Sequence, residues 1–87
     1  SVSKELEFIT KRIFAIKKVF YYTSNLSLKK RLSEEYMTLC SSFKDLRSKV
    51  ILFGHQNKVN LSYSSILIEK YNRCEKLIYK NKNLLFV

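Results

Sequence analysis

Proline and tryptophan are absent, and the 87 residues hold one glycine (Gly54), one alanine (Ala15), one histidine (His55), one methionine (Met37) and two cysteines (Cys40, Cys74). Without Pro and with a single Gly, the chain lacks the turn punctuation that a many-stranded sheet requires, so an all-α fold is expected. The same shortage leaves no glycine-rich loop to cradle phosphates. His55 has no Asp or Glu within four residues and cannot enter a nucleophile–base–orienter set. Glu34 and Glu35 are adjacent and point in different directions around a helix, so they cannot face one substrate as a carboxylate pair. No catalytic residue is assigned, and the expectation is that the chain is not an enzyme. One His and two isolated Cys give no recognisable metal-ligand spacing, so no metal and no other cofactor is expected.

Long apolar runs are missing too. The longest, such as Val50-Ile51-Leu52-Phe53 and Leu84-Leu85-Phe86-Val87, reach four residues, against about 20 for a bilayer span. Residues 1–20 interleave Lys and Arg where a secretory signal would need an unbroken apolar stretch. The expected location is intracellular, nucleus and cytoplasm undistinguished, with two reduced thiols; a single disulfide is the other reading. The length suits one domain. A Ser start and a bare apolar end read as a domain excised from a larger protein, although initiator-Met removal before Ser1 explains the start equally well.

What the chain has in excess is positive charge, seventeen Lys+Arg against seven Asp+Glu, for a formal net charge of +10. That balance points to anionic partners, nucleic acid among them. Its distribution argues the other way: residues 1–24, 25–57 and 58–87 carry +3, +3 and +4, so no segment concentrates the charge. Lys also outnumbers Arg thirteen to four, whereas firm phosphate clamping prefers Arg.

Apolar spacing gives three helices. Val2, Leu6, Ile9, Ile13, Ile16 and Phe20 recur at intervals of three and four, a helix seam over about 3–22 with Ser3 as candidate cap and Glu5 and Glu7 in the first turn. After a polar break at 23–27, Leu28, Leu32, Tyr36, Leu39, Phe43, Leu46, Val50 and Phe53 define a helix over about 28–53. Gly54 is expected to end it in the left-handed conformation, with His55–Lys58 as a loop. Tyr63, Ile66/Leu67, Tyr71, Cys74 and Leu77/Ile78 define a third helix over about 62–82. The fold expected is a small antiparallel three-helix bundle; the alternative is a helical hairpin completed by oligomerisation.

Three groups of residues are candidates for contact. Phe14, Lys17, Lys18 and Tyr21 share one face of the first helix at i, i+3, i+4 and i+7, opposite its seam, and form the best surface patch for a partner. The plain alternative is two aromatics covered by the tail or by chain outside this sequence. Phe8, Val19 and Tyr22, with Ala15 and Arg12, make a second stripe. It is read as internal to the bundle, or as a second interface. Lys29, Lys30 and Arg31 are placed in the first turn of the second helix, where an anion is favoured. The plain alternative there is i,i+4 pairing of Lys30 and Arg31 with Glu34 and Glu35. A helix-turn-helix reading of Leu61–Ile66 fails on the loose connection before it, and a membrane-surface reading of the first helix ranks third because its charges are poorly segregated. The function expected is a non-catalytic module for protein–protein interaction or self-association; the alternative is a basic nucleic-acid-binding domain, for DNA or RNA, working mainly through phosphate contacts.

Overall fold

The structure is a computed structural model that describes the backbone of residues 1–56 and 61–85 and the side chains of 1–52 and 65–85. Three α-helices, α1 (Val2–Tyr22), α2 (Leu26–Gln56) and α3 (Leu61–Lys80), pack into a three-helix bundle, followed by a 3-10 turn at Lys82–Leu85. No strand occurs among the described residues. The bundle measures 51 × 19 × 18 Å. Its long axis is set by α2, whose 31 residues span about 47 Å at the usual rise.

The helices run up, down and up. Tyr36 of α2 bonds to Ile78 of α3, and seven residues further along α2 Phe43 stacks on Tyr71, seven residues earlier in α3, so this pair is antiparallel. Contacts of Ser3 and Glu7 with Lys70, and of Tyr21 with Asn83, set α1 and α3 parallel. The seams read from the sequence form the core: Leu6, Ile9, Ile13, Ile16 and Phe20 of α1 meet Leu32, Tyr36, Leu39, Phe43, Leu46 and Val50 of α2 and Leu67 and Cys74 of α3. Both cysteines are free; Cys74 is buried and Cys40 half-buried.

Several boundaries differ from expectation, each for a local reason. Ser1 caps α1 by accepting from the Lys4 amide, which frees Ser3 to accept from Lys70 Nζ at 2.7 Å. Glu5 remains in the first turn, while Glu7 lies beyond it and pairs with Lys70. Helix α2 starts two residues early because Asn25 Oδ1 accepts from the Leu28 amide at 3.1 Å, the N-cap geometry. It also runs through Gly54 and His55 to Gln56, and no described glycine has positive φ. A glycine inside a helix costs about 1 kcal/mol against alanine, which a helix anchored along its seam tolerates. The remainder of the expected loop, Asn57–Lys58, and the side chains of Phe53 and Tyr63 lie outside the described residues.

The far end of α3 holds what periodicity did not reveal. Helical repeat carries the seam from Cys74 through Ile78 to Asn81, which is 2% exposed, and its Nδ2 donates to the Leu77 carbonyl at 2.8 Å. That bond satisfies one of the orphan carbonyls of the helix end. The 3-10 turn then swings Leu84 into the core at 0% exposure, leaving Leu85 outside. The Tyr36 hydroxyl donates to the Ile78 carbonyl at 2.6 Å, joining α2 to the same end of α3.

Three stability outcomes follow from this end. Leu84→Ala should cost about 2–5 kcal/mol, whereas Leu85→Ala should stay within about 0.5 kcal/mol, both read by urea denaturation. Tyr36→Phe should cost about 1 kcal/mol, a fall of roughly 4–8 °C in melting temperature for a domain of this size.

Candidate functional site

With its seam closed between two neighbours, α1 has two remaining flanks, and they differ. On the α2 side, the stripe read as internal proves exposed: Phe8 is 62% and Tyr22 87% exposed, and Val19 and Ala15 also face water. The cause lies in Arg12, which sits among them and reaches across to Glu35 of α2, its Nη2 donating to Oε2 at 3.0 Å and its Nε to Oε1. A stripe whose central member is an arginine pairing at the rim lies along the surface. Its members do not form one patch, since Phe8 and Tyr22 are about 21 Å apart along the axis. Phe8 borders a shallow groove with Leu39, Asp45, Leu46 and Lys49 of α2, and Tyr22 stands at the other end, beside Lys18 and Tyr21.

On the α3 side, the four residues singled out as a patch are brought together. Phe14 is 56% and Tyr21 48% exposed, and both line an open depression with Lys17 and Lys18. Tyr21 is held in place, its ring edge-on to Phe20 with centroids 5.6 Å apart and its hydroxyl accepting from Asn83 Nδ2. Among the described residues the tail thus bonds to the patch at the Tyr21 hydroxyl, with the Phe14 ring half-exposed. A second depression shares Phe14 with the first and reaches α3, where Phe14 and Thr10 lie with Arg73, Lys76, Leu77 and Lys80. Sequence reading missed the α3 contribution, because which face of α3 adjoins Phe14 depends on the rotation of that helix.

Charge along this groove is graded. Near its start, Glu7 accepts from Lys70, and Glu69 accepts from Arg73 at 3.0 Å. The Lys70 ammonium, by hydrogen bond and then by its charge, holds the Glu7 carboxyl below the usual carboxylate range. From Phe14 onward no carboxylate lines the groove, and Lys17, Lys18, Lys76 and Lys80 enter none of the ion pairs among the described residues.

The basic run Lys29-Lys30-Arg31 is not gathered into a site. Because α2 begins at Leu26, the run falls in the second turn, past the amides of the helix start. Lys29 Nζ lies over the Phe20 ring, 5.3 Å from its centroid, while Lys30 and Arg31 stay exposed. The i,i+4 pairing considered for them is not made, since Glu35 is taken by Arg12 and Glu34 joins no ion pair among the described residues.

Within the core, burial pushes the Tyr36 phenol and both cysteine thiols up, which disfavours the thiolate form. Among the described residues, no group of three or more His, Cys, Asp or Glu is placed to hold a metal ion, and no helix is long and apolar enough to cross a membrane. Compared with protein-family models, curated proteins and solved structures, the chain matches none.

The Glu7–Lys70 pair gives a pH signature. Folding lowers this carboxyl, so the pair's contribution is present above the ordinary carboxylate pKa and is lost as pH falls through the depressed value. An NMR titration should find Glu7 titrating below the ordinary carboxylate range, and Lys70→Gln should move it back toward that range.

Proposed function

We propose that the chain is a non-catalytic interaction module that docks another protein through the α1 face carrying Phe14, Lys17, Lys18 and Tyr21, or associates with itself. The observation that carries this reading is the half-exposure of two large aromatics seven residues apart on one helix, beside two lysines and over an open depression. Exposed aromatic surface of this extent, organised along a line, is what a helix-in-groove contact uses. Among the described residues the seams of the three helices pack inside the bundle, so the hairpin completed by oligomerisation gains no support from them.

A second reading, nucleic-acid binding, is favoured by one observation: Lys17, Lys18, Lys76 and Lys80 come to one side of the molecule although the sequence spreads its charge evenly. In that reading Tyr21 stacks and the lysines meet phosphates.

Light scattering at low and high salt, with and without an added oligonucleotide, separates the two. A mass indifferent to the oligonucleotide, or a salt-insensitive dimer, supports the interaction module. A complex formed only at low salt with the oligonucleotide supports the second reading. Phe14→Ser combined with Tyr21→Ser should leave helicity unchanged by circular dichroism and stability within about 1 kcal/mol. A loss of several kcal/mol would make the two rings part of the core and overturn the surface reading.

A further inference from the structure

We propose that the groove between α1 and α3 takes an acidic amphipathic helix of a partner protein, lying antiparallel to both helices and completing a four-helix arrangement. This rests on the docking reading above and adds the partner's chemistry and orientation to it.

Three observations carry it. The apolar side chains follow one line: Phe14, shared by two adjoining depressions, lies with half-buried Leu77 in one and with Tyr21, seven residues or about 10.5 Å further along the axis, in the other. An incoming helix presents apolar side chains at i and i+7 with that same separation. Lysines flank that line, Lys17 and Lys18 beside Phe14 and Tyr21 on α1 and Lys76 and Lys80 on α3, and no carboxylate lines either depression. Carboxylates flanking the partner's apolar stripe would meet these lysines, giving an attraction that ranks acidic helices above neutral ones. Finally, α1 and α3 run parallel, so their carbonyl ends lie together at the Tyr21 end. An antiparallel helix would bring its amide end there, placing opposite ends of the helix dipoles side by side.

The same observations disfavour the other occupants. A second copy meeting the first face to face would bring the four lysines of each copy into one interface with no carboxylate from either depression to meet them. A nucleic acid would find the groove's one arginine, Arg73, engaged by Glu69, and would find the Tyr21 ring anchored against Phe20 rather than presented as a free plane.

The test is fluorescence anisotropy with three labelled probes and the intact chain. They are an amphipathic helical peptide of about 18 residues with Leu at i, i+3 and i+7 and Glu between, the same peptide with Gln for Glu, and an oligothymidine of similar length. We expect the Glu peptide to bind at least about tenfold more tightly than the Gln peptide. Phe14→Ser/Tyr21→Ser and Lys76→Glu/Lys80→Glu should each weaken it about tenfold or more. Lys44→Glu/Arg47→Glu, exposed on α2 and equal in charge change, should leave it within about twofold. Equal affinity for the Glu and Gln peptides overturns the acidic partner while leaving the docking reading intact. Binding of oligothymidine alone overturns both. Equal loss in the α2 variant reduces the attraction to net charge and overturns the groove, as does the absence of binding by every probe.

Discussion

Burial of one narrow seam on α1 decides which side chains of the whole bundle meet water. Leu6, Ile9, Ile13, Ile16 and Phe20 are withdrawn almost completely, and they meet α2 and α3 together, so a single stripe of α1 serves both neighbours. Everything flanking that stripe is displaced to the rim. There, polar side chains seal the joints, Arg12 to Glu35 on one side and Lys70 to Ser3 and Glu7 on the other. Such exposed pairs contribute little stability; the rotation of the helices about their axes is set by the buried seam they border. That rotation is what leaves Phe14 and Tyr21 at the edge of α3 and Phe8 at the edge of α2.

Electrostatics acts on this arrangement after packing has set it. The seven acidic residues are too few to neutralise the lysines, and three of them, Glu7, Glu35 and Glu69, are committed to ion pairs at helix joints or along α3. Among the cations outside those ion pairs, Lys17, Lys18, Lys76 and Lys80 come from two segments far apart in sequence and line adjoining depressions that share Phe14. Charge per segment and charge per face are different quantities, and recognition depends on the second.

The contrast between what the residues disclosed and what they concealed follows the same division. Three-four spacing of Ile, Leu and Phe specified the seams, because most of the described positions on them are buried and the others largely pack against the core. Capping was less legible: Ser1 and Ser3 are equally able caps in isolation, and the choice was made by Lys70, which is 67 residues from Ser3 in sequence. Gly54 carries the signature of a helix end, yet the backbone there continues in the helical conformation, showing that glycine permits termination without compelling it. The second stripe of α1 looked internal by composition, and one arginine with a partner on α2 kept it outside. Phe14, Lys17, Lys18 and Tyr21 were legible as one line because they lie on one helix; Arg73, Lys76 and Lys80 were not, because joining them to that line requires tertiary register.

Asn81 and Leu84 extend this argument to the end of the bundle. A polar residue at a core position normally weakens packing, but Asn81 bonds to the Leu77 carbonyl and also accepts from the Leu84 amide, so the turn that ends α3 is stapled from within. That turn places Leu84 inside and Asn83 against Tyr21, and so one local device closes the core and fixes the far limit of the groove. The surface available for contact is for this reason an extension of the core's own closure. The side chains that would meet a partner are held by residues whose first role is to finish the fold, which lets the groove keep its shape without a partner present.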